Sequence, residues 1–204
     1  MTTQVRPNLV ETIANSLRTL VAPGEVFELL ALGCRTAGNR RPHQRGGFFD
    51  SDHIQQAAEA AFALTSPKGA NAEGVYLTLN PLNSAILARR VNRVDEMGRG
   101  EAASDADIIG RRWLLIDCDP VRLAGVSSTE DEKKASRSTA DSIRYDLADA
   151  GWPQPIRADS GNGSHLLYRI DLPADDGGIV RNCLRALAAK YDSDAVTVDP
   201  KVFN

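Results

Sequence analysis

The chain has 204 residues, of which 42% are hydrophobic and 25% are charged. That length and composition are typical of a globular chain with one well-buried core. No apolar run approaches the roughly 18 residues that a membrane helix needs, which argues against a membrane partner. The formal net charge of −3 argues against the broadly basic surface of a strong duplex-DNA binder.

Cysteines and basic residues are distributed differently along the chain. The cysteines are Cys34, Cys118 and Cys183, and a dispersed, odd set without a CxxC pair is typical of reduced thiols in a cytoplasmic protein. For the basic clusters, ordinary solvated arginines and an anion-binding surface both remain open. The three clusters are Arg35, Arg40, Arg41, His43 and Arg45; Arg89, Arg90 and Arg93; and Arg111 with Arg112.

The first half of the chain alternates helical and strand patterns. Apolar residues recur at helical spacing over 8–20, which predicts a helix within an N-terminal helical segment 1–25. Polar and glycine-rich residues predict a loop over 36–47, and the acidic stretch 95–110 predicts an exposed, partly disordered loop. The other predicted elements are a strand over 26–33, a helix capped by Ser51 or Asp52, a strand over 74–81 and a short helix from Asn83.

The second half contains the clearest strand, RWLLIDCD over 112–119, whose apolar run ends on acidic residues. Thr129 and Glu132 form a T-x-x-E capping box, which predicts a helix that ends near Gly151. The SGNG turn at 160–163 joins two strands into an antiparallel pair, so we predict a mixed sheet in an α+β fold. The remaining predicted elements are strands over 156–159, 164–172 and 196–200 and a helix over 176–191.

The strand over 112–119 ends in a D-x-D pattern, Asp117 and Asp119. Alternate residues of a strand point to the same face, so the two carboxylates project together. Carboxylates that close repel each other unless a cation lies between them. Because Mg²⁺ is commonly held by one or two carboxylates plus substrate phosphates, the pair predicts a metal site.

A second polar motif is Ser160-Gly161-Asn162-Gly163, followed by His165. The two glycines allow backbone N–H groups to turn inward as an anion-binding nest, with Ser160 and His165 as side-chain donors. A plain Asn-Gly hairpin turn remains the alternative. That alternative does not explain a histidine just inside an apolar strand, and a histidine satisfied within the core stays equally open.

A third motif, Val198-Asp199, places one more carboxylate at a strand end. In order and spacing, the three motifs together resemble the archaeo-eukaryotic primase superfamily, especially primase–polymerase domains of phages, plasmids and other mobile elements. The resemblance covers roughly residues 26–204 and implies an RRM-like, largely antiparallel sheet flanked by helices. It implies one catalytic domain over 1–204, forming the N-terminal part of a longer protein, because such chains continue beyond the third motif.

The resemblance also implies a DNA primase and polymerase that makes primers on single-stranded DNA from NTPs or dNTPs. Two Mg²⁺ or Mn²⁺ ions would be held by Asp117, Asp119 and Asp199, and a fused or associated helicase is an implied partner. His165, Ser160, Gly161, Asn162 and Gly163 would contact the nucleotide phosphates. Weaker candidates for nucleotide contacts are Arg93, Arg112, Tyr76 and Asn80.

Two other functions remain open at the level of sequence. Asp117-Cys118-Asp119-Pro120-Val121 also fits the D-x-D-x-T/V nucleophile motif of haloacid-dehalogenase-like phosphatases, although that motif usually opens its domain and here follows about half of the chain. A non-catalytic replication-initiator or nucleic-acid-binding module on an RRM-like sheet is the second alternative. The 5% aromatic content argues against it, because such sheets stack bases on aromatic side chains.

Overall fold

The computed structural model describes residues 8–123 and 125–202, so the first seven residues of the predicted N-terminal helical segment lie outside the described part. The chain divides at Gly110 into two compact units. The predicted α+β class is confirmed, because each unit combines helices with its own four-stranded sheet. A single catalytic domain over 1–204 stays a prediction.

The first unit packs two helices on an antiparallel sheet with strand order β3-β1-β2-β4. Its core joins Ala14 and Leu17 of the first helix to Phe27, Phe49 and Ala57. The elements are α1 (Leu9–Leu20), β1 (Val26–Cys34), β2 (His43–Asp50), α2 (Ile54–Thr65), β3 (Gly74–Leu77) and β4 (Asp95–Met97), with short 3-10 turns at Ser51–His53, Ser84–Arg89 and Asp105–Asp107.

Two predicted loops of this unit were wrong in part. The loop over 36–47 ends at Pro42, because β2 begins at His43 and pairs with β1. Gly46 and Gly47 of this stretch are strand residues, and a side chain at Gly47 would overlap the carbonyl of Arg93. The stretch 95–110 is not disordered, because it contains β4 and buries Met97 and Ile108.

The second unit has the order strand, helix, two strands, helix, strand. Its sheet order is β6-β7-β5-β8, the split β-α-β-β-α-β topology of ferredoxin-like and RRM-like sheets. The pairs β5–β8 and β6–β7 are antiparallel, and the sheet is antiparallel rather than mixed. The elements are β5 (Gly110–Pro120), α3 (Glu130–Asp149), β6 (Ile156–Asp159), β7 (Ser164–Pro173), α4 (Ile179–Tyr191) and β8 (Val196–Val198).

Both helices of the second unit cover one face of its sheet. Leu114, Ile116 and Cys118 of β5 are buried in the core that includes Ile143 of α3 and Leu184 of α4. By strand alternation, the odd-numbered residues of β5 therefore project from the opposite face. Across the described ranges, no helix is both long and apolar enough to cross a bilayer.

Candidate metal and nucleotide site

Asp117 and Asp119 lie at the end of β5, on the face of the sheet that the helices leave uncovered. Both are partly buried, whereas Cys118 between them and Ile116 before them are fully buried. Ser136 of α3 donates a hydrogen bond of 2.6 Å to the carbonyl of Cys118. The backbone between the two carboxylates is thereby held by the helix behind it.

His165, the second residue of β7, lies beside Asp117. Its Nε2 is 3.1 Å from Oδ1 of Asp117, within ion-pair distance but outside hydrogen-bond geometry. Contact with Asp117 raises the pKa of His165, against the opposing effect of burial, and the charges of Asp119 and Asp159 add to the rise. The imidazole is therefore biased toward its protonated, cationic form.

Asp119 has a carboxyl group whose ionised form the fold disfavours. Burial raises the pKa of Asp119, and the nearby charges of Asp117 and Asp199 raise it further. Arg122 and His165 act in the opposite direction. Such mutual repulsion is relieved when a cation is bound between the carboxylates.

Asp199 follows β8 and is fixed alongside Asp117 by the backbone. Its N–H donates to the carbonyl of Asp117 at 3.0 Å, and its Oδ1 accepts the N–H of Lys201 at 2.9 Å. The three carboxylates predicted to bind metal thus come from adjacent strands. Over residues 8–123 and 125–202, however, no three His, Cys, Asp or Glu side chains form a ready-made metal cluster.

The turn over 160–163 is closed by its own hydrogen bonds. Gly161 N–H donates to Asp159 Oδ1 at 2.6 Å, and Gly163 N–H donates to Ser160 Oγ at 2.8 Å. The amides predicted to cradle phosphate are therefore already bonded within the turn. Asn162 Oδ1 accepts the N–H of Ser128 at 3.1 Å, which ties the turn to the segment that precedes α3.

Gly163 brings this turn directly against the carboxylates. A Cβ at this position would lie 2.6 Å from Oδ1 of Asp119 and 2.5 Å from the carbonyl of Cys118. Any side chain would have to displace one of them. Glycine is thus required here by the close approach of the turn to Asp119, rather than by an unusual backbone angle.

The weaker sequence candidates lie in different places. Arg112 is a partly buried residue of β5, in the same unit as the carboxylates. Arg93 and Tyr76 belong to the first unit, where Arg93 pairs with Asp95 at 2.8 Å and Tyr76 is 57% exposed. Asn80 is only 2% exposed, so its side chain is not presented to a ligand.

Sequence reasoning missed two residues that support the site. Ser136 falls on the apolar face of α3, at helical spacing with Ala140 and Ile143. A serine at a position where the helical pattern expects an apolar residue is the sequence signal that could have identified it, because a buried hydroxyl needs a hydrogen-bond partner. Arg122 donates to the carbonyl of Val126 at 2.7 Å, and its charge helps to keep Asp119 ionised.

The residues present fit a hard divalent cation. Oδ1 of Asp117 is shielded from water and accepts no hydrogen bond from the described residues. A buried acceptor without a donor and a neighbouring carboxylate that resists ionisation are both improved by a bound cation. Carboxylate oxygens suit Mg²⁺ and Mn²⁺ among the common metals.

Comparison with known proteins found no matching family model, no matching curated protein and no matching solved structure. The three motifs and the geometry around Asp117 are therefore the features that indicate a function.

Proposed function

We propose that this chain is a DNA primase–polymerase that joins nucleotides on a single-stranded DNA template in a metal-dependent reaction. The observation that supports the proposal most strongly is the arrangement at the end of β5. Asp117 and Asp119 share one face there, with His165 3.1 Å from Asp117 and Gly163 against Asp119. All three motifs of the primase resemblance therefore meet in one unit of the chain.

Asp117 and Asp119 would hold the metal ions, with Asp199 beside them. Bound Mg²⁺ or Mn²⁺ would supply Lewis-acid activation of a 3′-hydroxyl and stabilisation of the departing pyrophosphate. The ion-pair contact with Asp117 favours the protonated form of His165. A protonated imidazole is a charge-assisted donor to a phosphate oxygen of the incoming nucleotide.

The turn over 160–163 has a positioning role in this proposal. The amides of Gly161 and Gly163 are bonded to Asp159 and Ser160, so phosphate contacts fall to His165 rather than to the glycine N–H groups. Gly163 keeps the turn close to Asp119, and Asn162 attaches it to Ser128. The internal bonds hold the turn in one shape, which fixes where β7 begins and where His165 projects.

Neither alternative function gains a specific observation. A base-stacking sheet needs accessible aromatic side chains. Trp113 lies on the same face of β5 as Asp117, but it is only 6% exposed, and the guanidinium of Arg169 lies 5.2 Å from its ring. The phosphatase alternative stays a prediction that a phosphomonoesterase assay can test beside the polymerase assay.

The test compares unprimed synthesis by the wild-type chain with Asp117→Asn. Removal of a metal-ligating carboxylate should lower primer synthesis by more than the roughly 10–100-fold typical of outer-shell partners. Asp149→Asn, at the exposed end of α3, is the matched control and should keep full activity. Primer synthesis that persists in Asp117→Asn would overturn the proposal, and phosphomonoester hydrolysis without polymerisation would favour the phosphatase.

A further inference from the structure

The segment between β1 and β2 carries a concentration of positive charge that the proposed site does not use. Residues 29–49 contain four arginines and one histidine but no aspartate or glutamate. The chain as a whole has a net charge of −3, so this segment differs sharply from the average. We call Arg35, Arg40, Arg41, His43 and Arg45 the basic hairpin.

Most arginines of the other two clusters lie beside acids. In the cluster over 89–93, every arginine has a carboxylate within ion-pair distance, and Arg111 pairs with Asp176 at 3.0 Å. In the basic hairpin, only Arg35 has a carboxylate within ion-pair distance, that of Glu73 at 2.8 Å. Within the described chain, Arg40, Arg41 and Arg45 form no ion pair, although Glu96 lies opposite Arg45 in the sheet register.

The tip of the basic hairpin has a defined shape. Thr36 and Asn39 exchange backbone hydrogen bonds of 2.9 and 3.2 Å, and Arg41 N–H donates to Asn39 Oδ1 at 3.2 Å. Arg40 and Arg41 are exposed directly after this turn. An ordered turn presents their charges together at lower entropic cost than a flexible loop would.

A groove of about 370 Å³ adjoins the hairpin on the side of α2. Thr36 and Arg45 lie at its polar side, and Ala63, Leu64 and Val94 are among the apolar residues that line it. His43 lies two residues before Arg45 on β2, with its Nδ1 3.0 Å from the carbonyl oxygen of Arg41 and its Nε2 buried without a hydrogen-bond partner among the described residues. Cationic and apolar surfaces therefore lie next to each other.

We propose that the basic hairpin and this groove bind single-stranded nucleic acid. Arginines neutralise backbone phosphates, and an apolar groove accepts a base that is not stacked within a duplex. A duplex keeps its bases stacked, so the groove would add nothing to duplex binding. Identification of this strand as the template rests on the proposed function, whereas the binding itself does not.

The test measures fluorescence anisotropy of a labelled oligothymidine of about 16 nucleotides, in EDTA and without nucleotides. Arg40→Gln with Arg41→Gln removes two charges that make no ion pair. The slope of log K against log salt should fall by about 1.4, and affinity near 0.1 M salt should fall about 20-fold. Arg181→Gln with Arg185→Gln, on the exposed face of α4, is the matched control and should bind like wild type.

Equal losses in both double variants, or none in either, would overturn the proposal. Equal affinity for duplex and single-stranded DNA would also overturn it. A third contradicting result is that the Arg40/Arg41 variant weakens binding to anionic phosphatidylserine vesicles as strongly as it weakens binding to oligothymidine. Ala63→Phe fills the groove from an exposed position of α2 and should weaken oligothymidine binding without changing the salt slope. Gln56→Phe, elsewhere on α2, should leave oligothymidine binding unchanged. If both phenylalanine variants bind oligothymidine equally, the groove is not part of the binding site.

Because the assay contains no metal or nucleotide, its outcome is separate from that of the polymerase assay. Arginine-dependent binding by a chain that makes no primers would leave this inference standing and sink the proposed function. Primer synthesis that is indifferent to Arg40 and Arg41 would leave the proposed function standing and overturn only the identification of the bound strand as the template. An oligouridine arm distinguishes DNA from RNA as the favoured strand, and stronger RNA binding would overturn the assignment as DNA template.

Discussion

Asp119 is a residue at which function and stability oppose each other. Burial and the charges of Asp117 and Asp199 raise the pKa of Asp119. The folded state therefore holds this proton more tightly than the unfolded state, and stability falls as the pH rises above the unfolded pKa. At neutral pH, the ionised carboxylate costs stability that a bound cation would restore.

We predict that Asp119→Asn raises the Tm of the metal-free chain at neutral pH, because it removes this charge while keeping the shape of the side chain. Added Mg²⁺ or Mn²⁺ should raise the Tm of the wild-type chain more than that of the variant. Differential scanning calorimetry with and without EDTA checks both. A variant that melts below wild type, or that gains as much from the metal, would contradict the electrostatic account.

Gly163 is the second residue at which one substitution is informative. Gly163→Ala should destabilise the chain by about 1–3 kcal/mol, because the added methyl group overlaps the Cys118 carbonyl and Asp119. Primer synthesis should fall further than the loss of folded protein explains. Urea denaturation measures the first effect. Gly38→Ala, where an added Cβ meets nothing within 4 Å, is the control and should cost little.

Among the elements, β1 buries a carboxylate that the site does not use. Glu28 is 3% exposed, and both of its oxygens lie 3.2 Å from the N–H of Ala103. Burial raises the pKa of Glu28 from 4.5 to about 6, although the bond from Ala103 opposes the rise. The first unit therefore loses stability as the pH rises through that interval.

Glu28→Gln should abolish this pH dependence while keeping an acceptor for Ala103. Relative to the variant, the wild-type chain should lose about 2 kcal/mol of unfolding free energy between about pH 4 and pH 7. Urea denaturation at several pH values measures the difference. Glu59→Gln, on the exposed face of α2, should track wild type throughout. If the unfolding free energy of Glu28→Gln changes with pH as that of the wild-type chain does, the buried carboxyl does not govern the pH dependence.

Elements were predictable from sequence where local pattern and tertiary packing agree. The apolar run of β5 and the capping box at Thr129, where Glu132 N–H donates to Thr129 Oγ1 at 3.3 Å, are both found in the structure. The glycine-rich start of β2 was not predictable, because glycine is needed there for the approach of the Arg93 carbonyl, which local sequence does not contain. The strand β4 was not predictable either, because its buried Met97 lies among acidic residues, which locally resemble an exposed loop.

The candidate site was predictable to a similar extent. Strand alternation alone places Asp117 and Asp119 on one face, and the structure has them there. The proximity of His165 to Asp117 depends on the pairing order of the sheet, which only the motif resemblance implied. The burial of Asn80 depends on tertiary contacts, and the local hydrogen bonds of the Ser160–Gly163 turn depend on its detailed backbone geometry. Sequence alone therefore could not exclude Asn80 or the turn amides as direct ligands.

At the scale of the whole molecule, the net charge does not describe the local distribution of charge. The net charge of −3 combines the acidic residues near β5 and β8 with the basic hairpin between β1 and β2. Each group lies in a different compact unit. Acidic residues outnumber basic ones in both units, so the basic hairpin is a local exception within the first unit that the net charge does not reveal.

Metal-dependent nucleotidyl transfer by the wild-type chain is measured on the product that it forms. The chain is incubated with unprimed single-stranded DNA and α-³²P-labelled nucleotides, with Mg²⁺ or Mn²⁺ and with EDTA. We predict labelled oligonucleotides complementary to the template, one pyrophosphate released for each bond formed, and no product in EDTA. Absence of labelled oligonucleotides under every metal and nucleotide condition would contradict it.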